Sequence, residues 1–163
     1  MTGKIKNESG KVVNDLSELC SKKQQEEGVW FQLETDNGAK WDIDVLVFGN
    51  DSDKVQKYER LKMKERVKKL NINGKRKNIE FDDDTVDEVF DEQIESVLVR
   101  FGGIRKHSTE TPLTFDGKEV PITKTEESEG LYLAILEGSP DISDFVSTMS
   151  KERTDFLAVR KKN

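Results

Sequence analysis

Apolar residues between Val86 and Ile104 recur at Val86, Val89, Phe90, Ile94, Val97, Leu98 and Phe101. Steps of three, four and one are the period of a helix with one broad buried stripe. Thr85 and Glu88 form the T-x-x-E pattern of a capping box just before the run. Gly102 and Gly103 are expected to end it, because glycine accepts the left-handed backbone found at helix C-termini. Start, stripe and stop are complete nowhere else, so this segment is expected to be a central helix on which the rest packs.

The period changes elsewhere. Val29–Glu34 and Lys40–Phe48 are rich in aromatic and β-branched residues in near alternation, with Thr35-Asp36-Asn37-Gly38 between them as a turn, so residues 29–48 read as a β-hairpin. In its second strand Trp41, Ile43, Val45 and Val47 are expected to face inward, with Asp42 and Asp44 on the wet face. Residues 52–70 read as a helix with a narrow stripe: Val55, Tyr58, Leu61 or Lys62, Val67 and Leu70. Ile79–Phe81 adds a short strand or two tucked apolar residues. Residues 112–122 form a second small hairpin around Asp116-Gly117, kept short by Pro112 and Pro121.

A helix capped by Thr123 and Glu126 is expected to run to Glu137, with Leu131, Leu133, Ile135 and Leu136 apolar and Gly138 as its stop. Ser139-Pro140 opens the next helix, serine at the cap and proline in the first turn. Ile142, Phe145, Val146 and Met149 are its buried side. A last helical segment restarts at Ser150 with Phe156, Leu157 and Val159 inward. Residues 1–27 are polar; Val12, Val13, Leu16 and Leu19 line a weak short helix in an otherwise mobile arm.

These elements predict an α+β fold: a small antiparallel sheet near the N-terminus packed on the central helix, with a C-terminal helical cluster. The expected core is Trp30, Leu33, Trp41, Ile43, Val45, Val47, Val86, Val89, Phe90, Ile94, Val97, Leu98, Phe101, Leu133, Leu136, Phe145, Val146 and Phe156. With 163 residues, one domain over 28–163 is expected beyond the arm. Only 33% of residues are hydrophobic and 37% are charged, which implies a thin core and apolar surface completed by a partner.

Charge sharpens the picture. From Lys54 to Asn78 eleven Lys or Arg face only Glu59 and Glu65, a balance of +9; from Ile79 to Val99 nine acids stand with no base, a balance of −9. These are either two solvated faces attracting weakly across the fold, at ~0–1 kcal/mol per exposed pair, or a complementary surface for another copy or a partner. The candidate partner-binding residues are Lys57, Arg60, Lys64, Lys68, Asp87, Asp91 and Glu95. A local nucleic-acid site on the basic stretch is the third option. Nucleic acid is disfavoured by the net charge of −6 and by the lack of stacking aromatics beyond Tyr58.

No catalytic, cofactor or metal site is expected. Cys20 is the only cysteine and His107 the only histidine, so neither a disulfide nor a multi-histidine or cysteine metal site is available. Asp82-Asp83-Asp84 fits the positive end of a helix dipole better than an ion site. His107 lies in a polar loop and no G-x-S-x-G elbow accompanies it. Gly102-Gly103 follows a helix, the wrong end for a phosphate cradle. The polar start carries no signal-peptide pattern, and no run approaches the ~18 apolar residues of a membrane span.

Several short motifs occur in a telling order: Gly28-Val29-Trp30-Phe31, Gly49-Asn50 leading into a helix with Tyr58, then Val97-Leu98-Val99-Arg100-Phe101-Gly102-Gly103-Ile104. Phe115-Asp116-Gly117-Lys118-Glu119-Val120-Pro121-Ile122-Thr123 follows, then Ser139-Pro140-Asp141 with Phe145-Val146, and Asp155-Phe156-Leu157. Over residues 28–158 this resembles the tail assembly chaperones of long-tailed bacteriophages and prophages. Phe101 stands where that pattern often has tryptophan, and the 51–95 region is unusually charged. The resemblance implies a non-enzymatic protein of the bacterial host cytoplasm that binds the tape measure protein, keeps it soluble and helps recruit tail-tube protein. A structural virion component, such as a minor tail or head–tail connector protein, is the alternative; a nucleic-acid-associated phage protein using residues 54–77 is the third.

Overall fold

The computed structural model describes residues 10, 12, 14–72 and 83–157, with the side chains of 71, 72, 83–88 and 90 excepted. The expectations for Ile79–Phe81, Val159 and the inward packing of Val86 and Phe90 lie outside what is described. The fold is α+β, with a three-stranded antiparallel sheet in the N-terminal half and a C-terminal helical cluster. The order of elements is α1 (Lys22–Glu27), β1 (Val29–Glu34), β2 (Lys40–Val47), α2 (Asp53–Ile72), α3 (Asp83–Arg100), β3 (Phe101–Lys106), β4 (Thr114–Phe115), β5 (Lys118–Glu119), α4 (Glu129–Gly138) and α5 (Pro140–Lys151). A 3-10 turn at Leu16–Leu19 precedes them and another, Arg153–Phe156, follows.

The hairpin is where the pattern places it. β1 pairs with β2 from Val29↔Val47 to Glu34↔Lys40, with a register shift between Gln32 and Glu34. That shift interrupts the alternation, and Trp41, on the far side of it, is 50% exposed rather than in the core. Its indole N–H donates to Thr35 Oγ1 at 3.3 Å. Val45 and Val47 are fully buried as expected, but Asp44 and Leu46 on the opposite face are also buried. The second half of β2 is therefore covered on both sides.

The largest correction concerns the central helix. α3 ends at Arg100, and the chain passes without a turn into β3, which pairs antiparallel with β2 from Val47↔Phe101 to Ile43↔Lys106. Gly102 and Gly103 do not stop the helix: neither has a positive φ. They are strand residues. Gly102 lies at the register shift between Leu46 and Val47, a β-bulge. The segment after the second hairpin runs along the outer edge of β3: Ile104 N–H donates to Ile122 O at 3.0 Å and Lys124 N–H to Gly102 O at 2.8 Å. A Cβ on Gly103 would sit 2.2 Å from Ile122 O and 3.0 Å from Trp30 Cη2, while one on Gly102 would sit 2.7 Å from the Phe48 ring. Glycine is required by close approach.

Thr85 lies within α3 rather than at its cap. The edge pairing likewise displaces the start of α4. Thr123 and Glu126 cap nothing; residues Thr125–Ser128 close a serine–threonine turn, and the helix begins at Glu129. Tyr132 and Leu136 are the fully buried residues of α4, while Leu133, expected inside, is only half-buried. The Tyr132 hydroxyl donates to Pro121 O and Ile122 O, and burial pushes its pKa up to about 12. The second hairpin turns at Asp116-Gly117, both with positive φ (51° and 81°). α5 opens as expected, with Ser139 Oγ accepting from Ile142 N–H behind Pro140.

The core lies between one sheet face and helices α3, α4 and α5. It joins Phe31, Leu33, Val45, Val47, Val97, Phe101, Ile104, Val120, Tyr132, Leu136, Val146 and Phe156. The Phe31 and Phe156 rings meet edge to face at 5.8 Å, and Phe101 lies 5.0 Å from Tyr132. Val89, expected inside, is 45% exposed; among the described residues of α3 the core takes Ile94, Val97 and Leu98. Val12, Leu16 and Leu19 are exposed, whereas α1, not foreseen, is fastened: Gln25 is 1% exposed, its Oε1 accepts from Asp51 N–H at 2.7 Å and its Nε2 donates to Ser21 Oγ at 2.9 Å.

Candidate partner-binding surface

α2 is attached to the body at one end. Val55 is fully buried, and Tyr58 and Lys62 are half-buried toward α3. Tyr58 Oη donates to Glu92 O at 3.3 Å, and Lys62 Nζ lies 3.4 Å from Glu95 and 3.6 Å from Glu65. Burial alone lowers the Lys62 ammonium pKa, but Glu95 and Glu65 outweigh it, and the net shift is upward. From Met63 to Leu70 every residue is exposed. The expected stripe of Leu61, Val67 and Leu70 is therefore exposed rather than part of the core.

At ~100° per residue, α2 has three distinct faces. Tyr58, Lys62 and Arg66 point toward α3 and the groove described below. Met63, Val67 and Leu70, at i, i+4 and i+7, form an exposed apolar flank, with Leu70 at 67% exposure. Lys57, Arg60, Leu61, Lys64 and Lys68 form the outward face, and none of its four cations makes an ion pair with a described residue. Four of the seven candidate residues thus share one solvent-facing strip. Of the acidic candidates, Glu95 is drawn into the contact with Lys62, Asp91 is exposed, and the Asp87 side chain lies outside the description. Among the described residues the two oppositely charged helices do meet, through two ion pairs, Lys62–Glu95 and Glu59–Arg100, rather than along their lengths.

A groove of about 780 Å³ lies between α2, α3, α4 and α5. Val97 and Leu136 supply buried apolar surface and Val89 an exposed wall; Glu59, Glu92, Glu137 and Asp144 line it against Arg66. Glu59 is 3.8 Å from Arg100 and no other of these acids is ion-paired among the described residues. Arg100 itself is a clamp: it donates to Ser96 O at 2.6 Å, Ser96 Oγ at 2.7 Å and Asn50 Oδ1 at 2.8 Å.

That clamp belongs to a hub at Gly49-Asn50-Asp51. Ser150 Oγ donates to Phe48 O at 2.7 Å, Asn50 N–H donates to Ser150 O at 3.0 Å, and Arg153 donates through Nε and Nη2 to the two carboxylate oxygens of Asp51. The hydrogen bonds from Arg153 hold the Asp51 carboxyl below its usual range. Gln25, Asn50, Arg100 and Ser150 carry no sequence signal of this role; only the break at Gly49-Asn50 marked the place.

The opposite sheet face holds a polar cluster. Asp44 receives Arg105 Nε at 3.2 Å and His107 Nδ1 at 2.6 Å, and Arg105 stacks 4.0 Å from the Trp30 ring. Asp44 is therefore not on a wet face, and His107, though in a loop, is oriented by a buried carboxylate. Asp42 binds the backbone N–H and hydroxyl of Ser108. Near the sheet's other end Lys124 reaches the Leu98 carbonyl; burial pulls its pKa down to about 8.

Among the described residues no group of three or more His, Cys, Asp or Glu is placed to hold a metal ion, and no helix is long and apolar enough to cross a membrane. Compared with known protein families, curated proteins and solved structures, the chain matches none.

Proposed function

We propose that this protein is a non-enzymatic phage tail assembly chaperone that binds the tape measure protein and aids assembly of the tail tube. The observation that carries this reading is α2. Its distal half presents Met63, Val67 and Leu70 to solvent beside a strip of cations. An apolar flank at i, i+4 and i+7 is the shape one helix offers another, and a tape measure protein is a long helical partner. Cations beside it raise the association rate and set the orientation more than the affinity. The order of motifs along residues 28–158 supports the same reading.

Co-expression with the tape measure protein of the same phage tests it. The chaperone is expected to keep that partner soluble and to co-purify with it, and Met63→Ser/Val67→Ser/Leu70→Ser is expected to abolish capture with the fold intact. If the wild-type chain neither solubilises nor retains the partner, the reading is wrong. Mass spectrometry of purified virions separates it from a structural role, since a chaperone is absent from the finished particle. Retention of duplex DNA at 150 mM salt would favour the nucleic-acid alternative instead.

A further inference from the structure

We propose that copies of this chain associate head to tail, the outward cationic strip of α2 in one copy seating in the acidic groove of the next. The strip is a ridge of Lys57, Leu61, Lys64 and Lys68, flanked by Arg60, spanning roughly 17 Å of helix. The groove carries Glu59, Glu92, Glu137 and Asp144 against the single Arg66, over buried apolar surface from Val97 and Leu136. Along α3 it extends from Val89 to Val97, roughly 12 Å of rise, so the groove can take about two thirds of the ridge and is opposite to it in sign. Leu61, 54% exposed on the ridge, supplies an apolar side chain for the half-exposed Val89 wall.

Charge complementarity selects this occupant. Four cations of the ridge have no acidic partner among the described residues, and Glu92, Glu137 and Asp144 have no basic one. Each set is then satisfied by the other in a second copy.

The position of the two surfaces sets the symmetry. Arg66 and Glu59 line the groove from one side of α2, while Lys57, Lys64 and Lys68 lie on the opposite side of the same helix. One neighbour is therefore held by the ridge and another by the groove. Such a heterologous contact does not close by a two-fold axis and generates a ring or an open stack. The Met63, Val67 and Leu70 flank lies about a third of a turn away and stays free. The inference uses no tape measure protein and does not depend on the proposed function.

Sedimentation velocity of the full chain from about 5 to 200 μM is the test. At 50 mM salt the mass is expected to rise past that of a dimer with concentration, and at 500 mM salt to fall toward the monomer. Lys57→Glu/Lys64→Glu/Lys68→Glu and, separately, Glu92→Lys/Glu137→Lys/Asp144→Lys are each expected to remain monomeric, with association weakened roughly 100-fold or more. Mixing the neutralised ridge variant Lys57→Gln/Lys64→Gln/Lys68→Gln with the neutralised groove variant Glu92→Gln/Glu137→Gln/Asp144→Asn leaves one intact ridge and one intact groove, and is expected to give a 1:1 dimer and nothing larger. Circular dichroism checks the fold of each, with the milder Lys→Gln and Glu→Gln sets used if either is unfolded. A wild-type chain monomeric at 200 μM and low salt overturns the proposal. So does assembly of either variant like the wild type, or a mixture that stays monomeric.

Discussion

Gly103→Ala tests the account of the glycine pair. The added methyl carbon would sit 2.2 Å from the Ile122 carbonyl oxygen, a backbone atom that cannot rotate away, and 3.0 Å from Trp30 Cη2. The 122–124 segment must retreat from β3. Two backbone hydrogen bonds then go, Ile104 N–H to Ile122 O and Lys124 N–H to Gly102 O. Each contributes about 1 kcal/mol net. The same retreat moves Pro121 O and Ile122 O away from the Tyr132 hydroxyl, leaving a buried donor short of partners at about 1–3 kcal/mol. The sum is about 3 kcal/mol or more, roughly 6–12 °C in Tm for a chain of this size. Urea unfolding followed by tryptophan fluorescence and circular dichroism measures it. Gly130→Ala is the control, with no atom within 4 Å of the new methyl and a helical position in α4; it is expected to be neutral or stabilising by up to about 1 kcal/mol. A Gly103→Ala protein within about 1 kcal/mol of wild type refutes the close-approach argument.

Other substitutions separate buried from exposed roles. Lys124 has a folded pKa of about 8, below the usual 10.5 for lysine, because of burial; the unfolded chain therefore binds the extra proton between those values, and wild-type stability should rise with pH across that window. Lys124→Met is expected to remove this slope, a difference of about 1–2 kcal/mol after allowing for partial exposure, read from urea midpoints at pH 7.5 and 9.5. Asp44→Ala strips Arg105 and His107 of their carboxylate and is expected to cost about 2–4 kcal/mol by thermal unfolding; a loss under 1 kcal/mol would mean that Trp30 and Glu110 suffice to hold Arg105. Trp41→Ala is expected to cost under about 1 kcal/mol, against 3–5 for Phe156→Ala, because only the second ring is buried. Equal losses would place Trp41 in the core after all.

The sequence was most legible where one local rule acts alone. Asn37-Gly38 and Asp116-Gly117 demand turns, alternation marks Val45 and Val47 as inward, and Ser139-Pro140 opens a helix. It was least legible where two chain segments meet. Gly102-Gly103 has the same local signature as a helix stop, and nothing in the adjacent residues reveals that Phe48, Trp30 and the 122 carbonyl lie against it. Asp44 looks like an outward residue of an alternating strand; only the pairing of β2 with β3 brings Arg105 and His107 to it. Of the candidate surface, the charge segregation was visible and the outward direction of Lys57, Lys64 and Lys68 follows from helical period. The groove was not, since its lining comes from four helices separated by up to about ninety residues.

By itself, then, the sequence determined the class of fold, the hairpins, the helical stretches and a strongly polarised charge pattern, because propensity, turn chemistry and periodicity act over a few residues. Tertiary structure decided what those elements meet. It turned the exit of the central helix into a third strand, buried a carboxylate on the sheet's second face, and left residues 63–70 of α2 exposed among the described residues. Those outcomes depend on contacts between residues far apart in the chain, and burial is a property of the assembled neighbours rather than of any residue's own chemistry.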